Sequence, residues 1–300
     1  MKRSIREKHN FLAMLVLSGI LMFSFLDLKI NAELNHKRKF QSPIRIASGP
    51  GGNLLVSDYK AKSVFVVDKN KNRIIKGIVI RGNPLGVAYY KGKIYVGNKT
   101  HEKIEVYTES GKKRFSFPRI VKKPNDIAID RVSERLYVTD SIRKNVTVFK
   151  LDGEYQFVIK TNLVAPAGIA IDENKGILYV SDYGDRSSWK YPSIQAYDLD
   201  GTPVGSISGK LGMMGNRFSR PQGLAIDENG NIFLVDCYSA EVLVFSGLSG
   251  ILLKTIGGFG TGPGKMLLPY DIVLDGRTKD LFVTNNRARR IEIFRNGGQL

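Results

Sequence analysis

The stretch Pro221-Gln222-Gly223-Leu224-Ala225-Ile226-Asp227 has close copies elsewhere in the chain. Residues 124–130, 166–172 and 269–275 repeat it, and Pro43 and Pro84 open two looser copies. Each copy leads into a run such as RLYVTD or NIFLVD, then into one such as VTVF or VLVF. The six prolines lie 41, 40, 42, 55 and 48 residues apart. A repeat of about 40 residues constrains the fold strongly. A unit that short cannot bury its own apolar face and must stack against its neighbours.

Each copy holds three short β-rich runs separated by Gly, Asp and Asn turns, and a fourth apolar run such as ILLKTIGG follows. Four short antiparallel strands per repeat make a propeller blade. The expected fold is all-β: a six-bladed β-propeller of four-stranded antiparallel blades. After Ile291-Glu292-Ile293-Phe294 too few residues remain for a fourth strand. Residues 37–40 are expected to pair into the last blade and close the ring, which would remove an open sheet edge. The pattern P-x-G-[IL]-A-[IV]-D, then [IL]-[YF]-V-x-D and a V-x-V-F strand, resembles the NHL repeat over about residues 37–296. The connections SGKLGMMGNRFSRP and GGFGTGPGKMLLP resemble that family's glycine-rich link. The resemblance implies a propeller and leaves function open, because propellers host many activities.

Ahead of the repeats stands a basic head, MKRSIREKHN, and an uncharged run from Phe11 to Leu26. As a helix that run spans roughly 24 Å, short of a ~30 Å hydrocarbon core. With Ala32 before Glu33, residues 1–32 read as a signal peptide and 33–300 as the propeller. Retention as an uncleaved N-terminal anchor is the alternative, and the only route to a membrane. The protein is expected to be exported, to a periplasm or beyond. Cys237 is the sole cysteine, so no internal disulfide can form. Export with no disulfide puts the burden of stability on the packed core.

The chain carries a net charge of +18. Without residues 1–32 it keeps 41 basic and 26 acidic residues, a net +15. Such a surface favours anionic partners, and an envelope location disfavours nucleic acid among them. In a propeller, the loops entering the first strand and those joining strands two and three share one face, here the top. Those loops are rich in Lys and Arg, whereas bottom turns such as DENGN and DLDGT are acidic. The candidate contacts are Arg143, Lys144, Arg287, Arg289 and Arg290, with Arg186, Trp189, Lys190 and Tyr191 on an inserted loop. Arg binds carboxylates and phosphates in bidentate fashion, and Trp and Tyr are common interface anchors. The residues ending strand two, Asp58, Asn98, Asp140, Asp182, Asp236 and Asn285, suit turns and are read as structural.

The channel mouth is expected to be lined by Arg45, Asn125, Asp126, Tyr270 and Asp271, with Asp271 paired to Arg45. No cofactor is called for. Ca²⁺ is the one ion with a candidate ligand set, Asn125, Asp126 and Asp271, at the place where calcium-dependent propeller lactonases hold theirs. The mature chain has only His36 and His101, too few for a tri-histidine zinc site. The leading expectation is a non-catalytic, exported recognition or scaffold protein. It would hold an acidic protein or anionic polymer on its basic top face. A calcium-dependent hydrolase or lactonase centred on the channel is the alternative.

Overall fold

The computed structural model describes residues 39–185, 187, 189–210 and 217–297. The leader, Arg186 and the Lys37-Arg38 pair therefore lie outside the described residues. Each repeat folds into one antiparallel sheet. Blade one comprises Pro43–Ser48, Leu54–Asp58, Ser63–Asp68 and Arg73–Val79, hydrogen-bonded in that order. The inner strands of blades two to six are Pro84–Tyr90, Pro124–Asp130, Pro166–Asp172, Pro221–Ile226 and Pro269–Leu274. Blades two to five are four-stranded as expected. The turns behave as their residues dictate. Asp227 accepts from the N–H groups of Asn229 (2.9 Å) and Asn231 (2.8 Å), and Gly230 supplies φ +78°.

The core is six cores. Each seam between neighbouring blades holds one apolar cluster built from both sides. Val66 and Ile78 of blade one meet Val87 and Val96 of blade two, and Val148 and Ile159 of blade three meet Leu178 and Val180 of blade four. The other seams repeat the scheme. Burying one large apolar side chain stabilises by about 1.5–3 kcal/mol, so a blade deprived of a neighbour loses many such contributions.

The ring closes at the seam of blades six and one, where Phe282 and Ile291 pack on Ile46, Val56 and Phe65. The Ile46 N–H donates to Asp271 (2.9 Å), the Thr284 hydroxyl to Ile44 O (2.9 Å) and the Asn286 amide to Pro43 O (3.0 Å). Blade six has three strands among the described residues: Pro269–Leu274, Leu281–Asn285 and Arg290–Phe294. The fourth strand expected from residues 37–40 is not seen in the part that is described. Phe40 forms no strand and sets its ring edge-on to Phe65 of blade one, 5.6 Å between centroids. Described contacts close the ring face to face, by packing and cross-seam hydrogen bonds.

Candidate functional site

The residue ending strand two is a clamp in every blade. Register pairs Pro43 with Asp58 and Pro221 with Asp236, so the prolines and these side chains share the top end. Asp58 accepts from the Ser42 N–H of the incoming connection (2.9 Å) and the Ala61 N–H of its own turn (2.9 Å). Asp182 and Asp236 do the same for Ala165 with Gly184 and for Arg220 with Tyr238. The structural reading of this ring is thus met, with more scope than a turn: each clamp ties one blade's entry to its own hairpin. In the two blades with Asn, a carboxylate seven residues later joins in. Asn98 donates to Glu105 (2.9 Å) and Asn285 to Glu292 (3.5 Å). Burial pushes Glu105 up, yet hydrogen bonds from Lys113, Asn98, His101 and Tyr107 outweigh it and hold the carboxyl at about 2.

Beneath the mouth, two residues after each proline, stand Arg45, Gly86, Asp126, Gly168, Gly223 and Asp271. Three glycines leave room for three charges. Arg45, from blade one, lies across the axis with 3% exposure. Its Nη1 is 3.3 Å from Asp126 of blade three and 3.5 Å from Asp271 of blade six. Nε donates to Asn125 O (3.0 Å) and Nη2 to Ala167 O (3.0 Å). One side chain thereby joins four blades. The expected Arg45–Asp271 pair is present, and Asp126 completes it. The guanidinium occupies the space between the two candidate calcium-ligating carboxylates and brings a single positive charge to them. The Asn125 amide is turned to Pro166 O (2.8 Å). Below, the channel opens as a cavity of about 290 Å³, lined by aliphatic residues such as Ile46, Ile127 and Leu224 and by the charged Asp126, Asp271, Arg131 and Glu173.

Two buried carboxylates share one cation, and this fixes a pH dependence. Burial and the Asp126 carboxylate push Asp271 well above its ordinary 3.8, against the pull of Arg45. Burial likewise raises Asp126. A carboxyl raised in the folded state binds its proton more tightly there than in the unfolded chain. Its contribution is complete below pH 3.8 and is lost as pH rises through the folded value. Asp271→Asn removes that loss. Between about pH 5 and about pH 9 the unfolding free energy of the variant should fall less than that of the parent, read by urea denaturation at each pH. Equal slopes would show that the hub does not titrate there. Glu105, held low, acts in a separate window, below pH 4.5.

Above the hub every blade lends a side chain to the mouth. Arg220 of blade five sets its guanidinium 3.9 Å from the ring centre of Tyr183 (blade four) and 5.9 Å from that of Tyr238. The Tyr183 hydroxyl donates to Gln222 (2.9 Å). Lys99 of blade two lies over Tyr59 of blade one, 5.7 Å from its centre. Burial and the positive charges of Lys99, Arg45 and Arg220 hold the Lys123 ammonium of blade three below its ordinary value. Burial raises Tyr270 of blade six, and the nearby Arg220 and Arg45 partly offset this.

The rim residues are dispersed around this mouth. Trp189 is 81% exposed at the tip of the inserted hairpin, closed by paired bonds between Asp185 and Lys190 (2.7 and 2.9 Å). Tyr191 beside it holds the Lys210 ammonium 4.4 Å above its ring. Arg143, Lys144, Arg287 and Arg289 are exposed on their loops. Arg290 is not free: it bonds Glu292 (2.7 Å) and the carbonyls of Thr261, Gly262 and Lys265, holding the glycine-rich link.

The family model described as NHL repeat matches residues 218–245, the three inner strands of blade five. The chain is a six-bladed β-propeller that carries an NHL repeat in blade five. No curated protein matches it. Among solved structures this propeller is similar to a hydrazine synthase chain of Kuenenia stuttgartiensis, with 14% identity and a TM-score of 0.65 over 88% of this chain and 98% of that one. A chain of a nidogen/laminin complex shares 20% identity at a TM-score of 0.61, over 82% and 94% of the two. Virginiamycin B lyase of Staphylococcus aureus shares 14% at 0.59, over 85% and 84%. Likeness at these identities is likeness of fold.

Of the sequence-predicted residues, the propeller scaffold brings Arg45, Asn125, Asp126 and Asp271 into one hub and Tyr270 to the mouth above. The rim cations are left apart. Sequence reasoning missed Lys99, Lys123, Tyr183, Arg220 and Tyr238 as a group. Their signal was positional: each directly precedes the repeat proline or follows the strand-two clamp by one or two places.

Proposed function

We propose that this is an exported, non-catalytic recognition protein that holds an acidic partner protein on the top face of its propeller. One observation carries the reading, the unequal pairing of cations on the two faces. On the bottom, Lys69 pairs with Asp275, Lys91 with Glu134, Arg135 with Asp200, Lys150 with Glu154 and Lys279 with Glu228. On top, Arg119 and Lys122 pair with Glu102 and Arg290 with Glu292, but Lys60, Lys62, Lys99, Lys123, Arg143, Lys144, Arg220, Arg287 and Arg289 have no carboxylate in ion-pair reach among the described residues. A face of unneutralised cations on a rigid ring attracts and orients an anionic surface. Aromatic groups among them, Trp189 and Tyr191, add contact area.

Reversing Arg287→Glu and Arg289→Glu together, with Arg290 left to hold its loop, is the direct test. Binding of poly-L-glutamate at low salt should weaken by about tenfold or more, and the difference should shrink as salt screens the face. An unchanged affinity at low salt would remove the rim from the reading.

A further inference from the structure

We propose that the mouth of the channel is a socket for a single carboxylate group, an Asp or Glu side chain that the acidic partner presents, with Arg220 and Lys123 as its receptors. The inference rests on the top-face reading above and narrows it to one place. Arg220 is half-buried, and its guanidinium lies on Tyr183 at 3.9 Å with Tyr238 on a further side. Stacking fixes the plane of the fork and leaves its edge for hydrogen bonding. Among the described residues that edge donates to no protein atom, nor does the Lys123 ammonium. Half-buried donors with no acceptor are costly unless a ligand or water supplies one. A carboxylate matches the fork in bidentate geometry and balances the charge.

The surroundings limit what can enter. Arg45, Asp126 and Asp271 fill the channel below, so the socket takes a group rather than a threaded chain. The aromatic side chains of Tyr183 and Tyr238 beside Arg220 supply apolar surface for the methylene that carries a side-chain carboxylate, whereas inorganic phosphate has no such group. The charges acting most strongly on Lys123 are Lys99, Arg45 and Arg220, with Asp140 opposing them. The Asp140 oxygens are engaged by the Lys122, Ile142 and Arg143 N–H groups. An arriving carboxylate relieves the repulsion, and Lys123 then holds its proton more tightly.

The test uses N-acetyl-hexaglutamate as probe, titrated calorimetrically into the whole protein at about 0.15 M salt, where exposed rim charges are largely screened. The double variant Lys123→Met/Arg220→Met should lose about tenfold in affinity or more, and Arg220→Lys should lose part of it. Arg287→Glu/Arg289→Glu should change little at that salt. At alkaline pH, titration in two buffers of different ionisation heat should show proton uptake by the parent and none by Lys123→Met. Inorganic phosphate should compete weakly. If the mouth variants bind as the parent does while the rim variant fails, the socket is wrong and the face reading stands. If neither set changes binding, both are wrong. Phosphate competing as well as hexaglutamate would overturn the choice of a side-chain carboxylate.

Discussion

Arg45→Ala should cost about 3–5 kcal/mol of unfolding free energy, the penalty for leaving buried charge without its counterpart. Asp126 and Asp271 would then face each other with no cation, and Asn125 O and Ala167 O of blades three and four would lose their shared donor. A shift in the midpoint of urea denaturation with an unchanged slope would report this directly. The companion variant separates charge from packing. Arg45→Met with Asp126→Asn and Asp271→Asn removes all three ionisable groups and keeps much of the volume, so it should recover most of the loss. If Arg45→Ala unfolds within about 1 kcal/mol of the parent, the hub is not what ties the inner strands together.

Gly168→Ala should be nearly as damaging for a different reason. A Cβ there would stand 2.3 Å from Gln222 O and 2.8 Å from Gly223 Cα, both backbone atoms of the neighbouring blade. A flexible side chain could swing aside, whereas these atoms move only if blades four and five part. That would open the seam in which Tyr179 and Ile207 pack on Leu224 and Leu234. Overpacking costs about 1–3 kcal/mol, and contact with fixed backbone puts this site at the upper end of that range, read again as the denaturation midpoint. Gly276→Ala is the control: nothing lies within 4 Å of its added Cβ, so it should unfold as the parent does.

The fold was legible because the repeat states it six times: proline, small residues, β-branched runs and a polar clamp recur in the same order every 40 to 55 residues. Even the Asn blades can be read, since Asn98 and Asn285 are each followed seven residues later by Glu105 and Glu292, which restore the carboxylate. The hub was half legible. Asp271 and Arg45 sit at equivalent places in adjoining blades, but Asp126 reaches Arg45 from across the channel, a contact that repeat spacing does not point to. The mouth was least legible. Its members come from six blades and are alike in place while differing in type: Lys123 and Arg220 stand where other blades have Ser42, Asn83, Ala165 and Leu268. A pattern search rewards sameness, and a binding surface is made where the copies differ.

The seam of blades six and one has a further consequence. Thr284 bonds Ile44 across 240 residues of chain, a separation that would make such a contact slow to find in an unstructured polymer. Five other seams, each between blades adjacent in sequence, can form first and wind the chain into an arc. The two terminal blades are then held at a high effective concentration of one another, as two subunits joined by a rigid linker would be. Closing the ring becomes an intramolecular docking reaction whose partner is always in place.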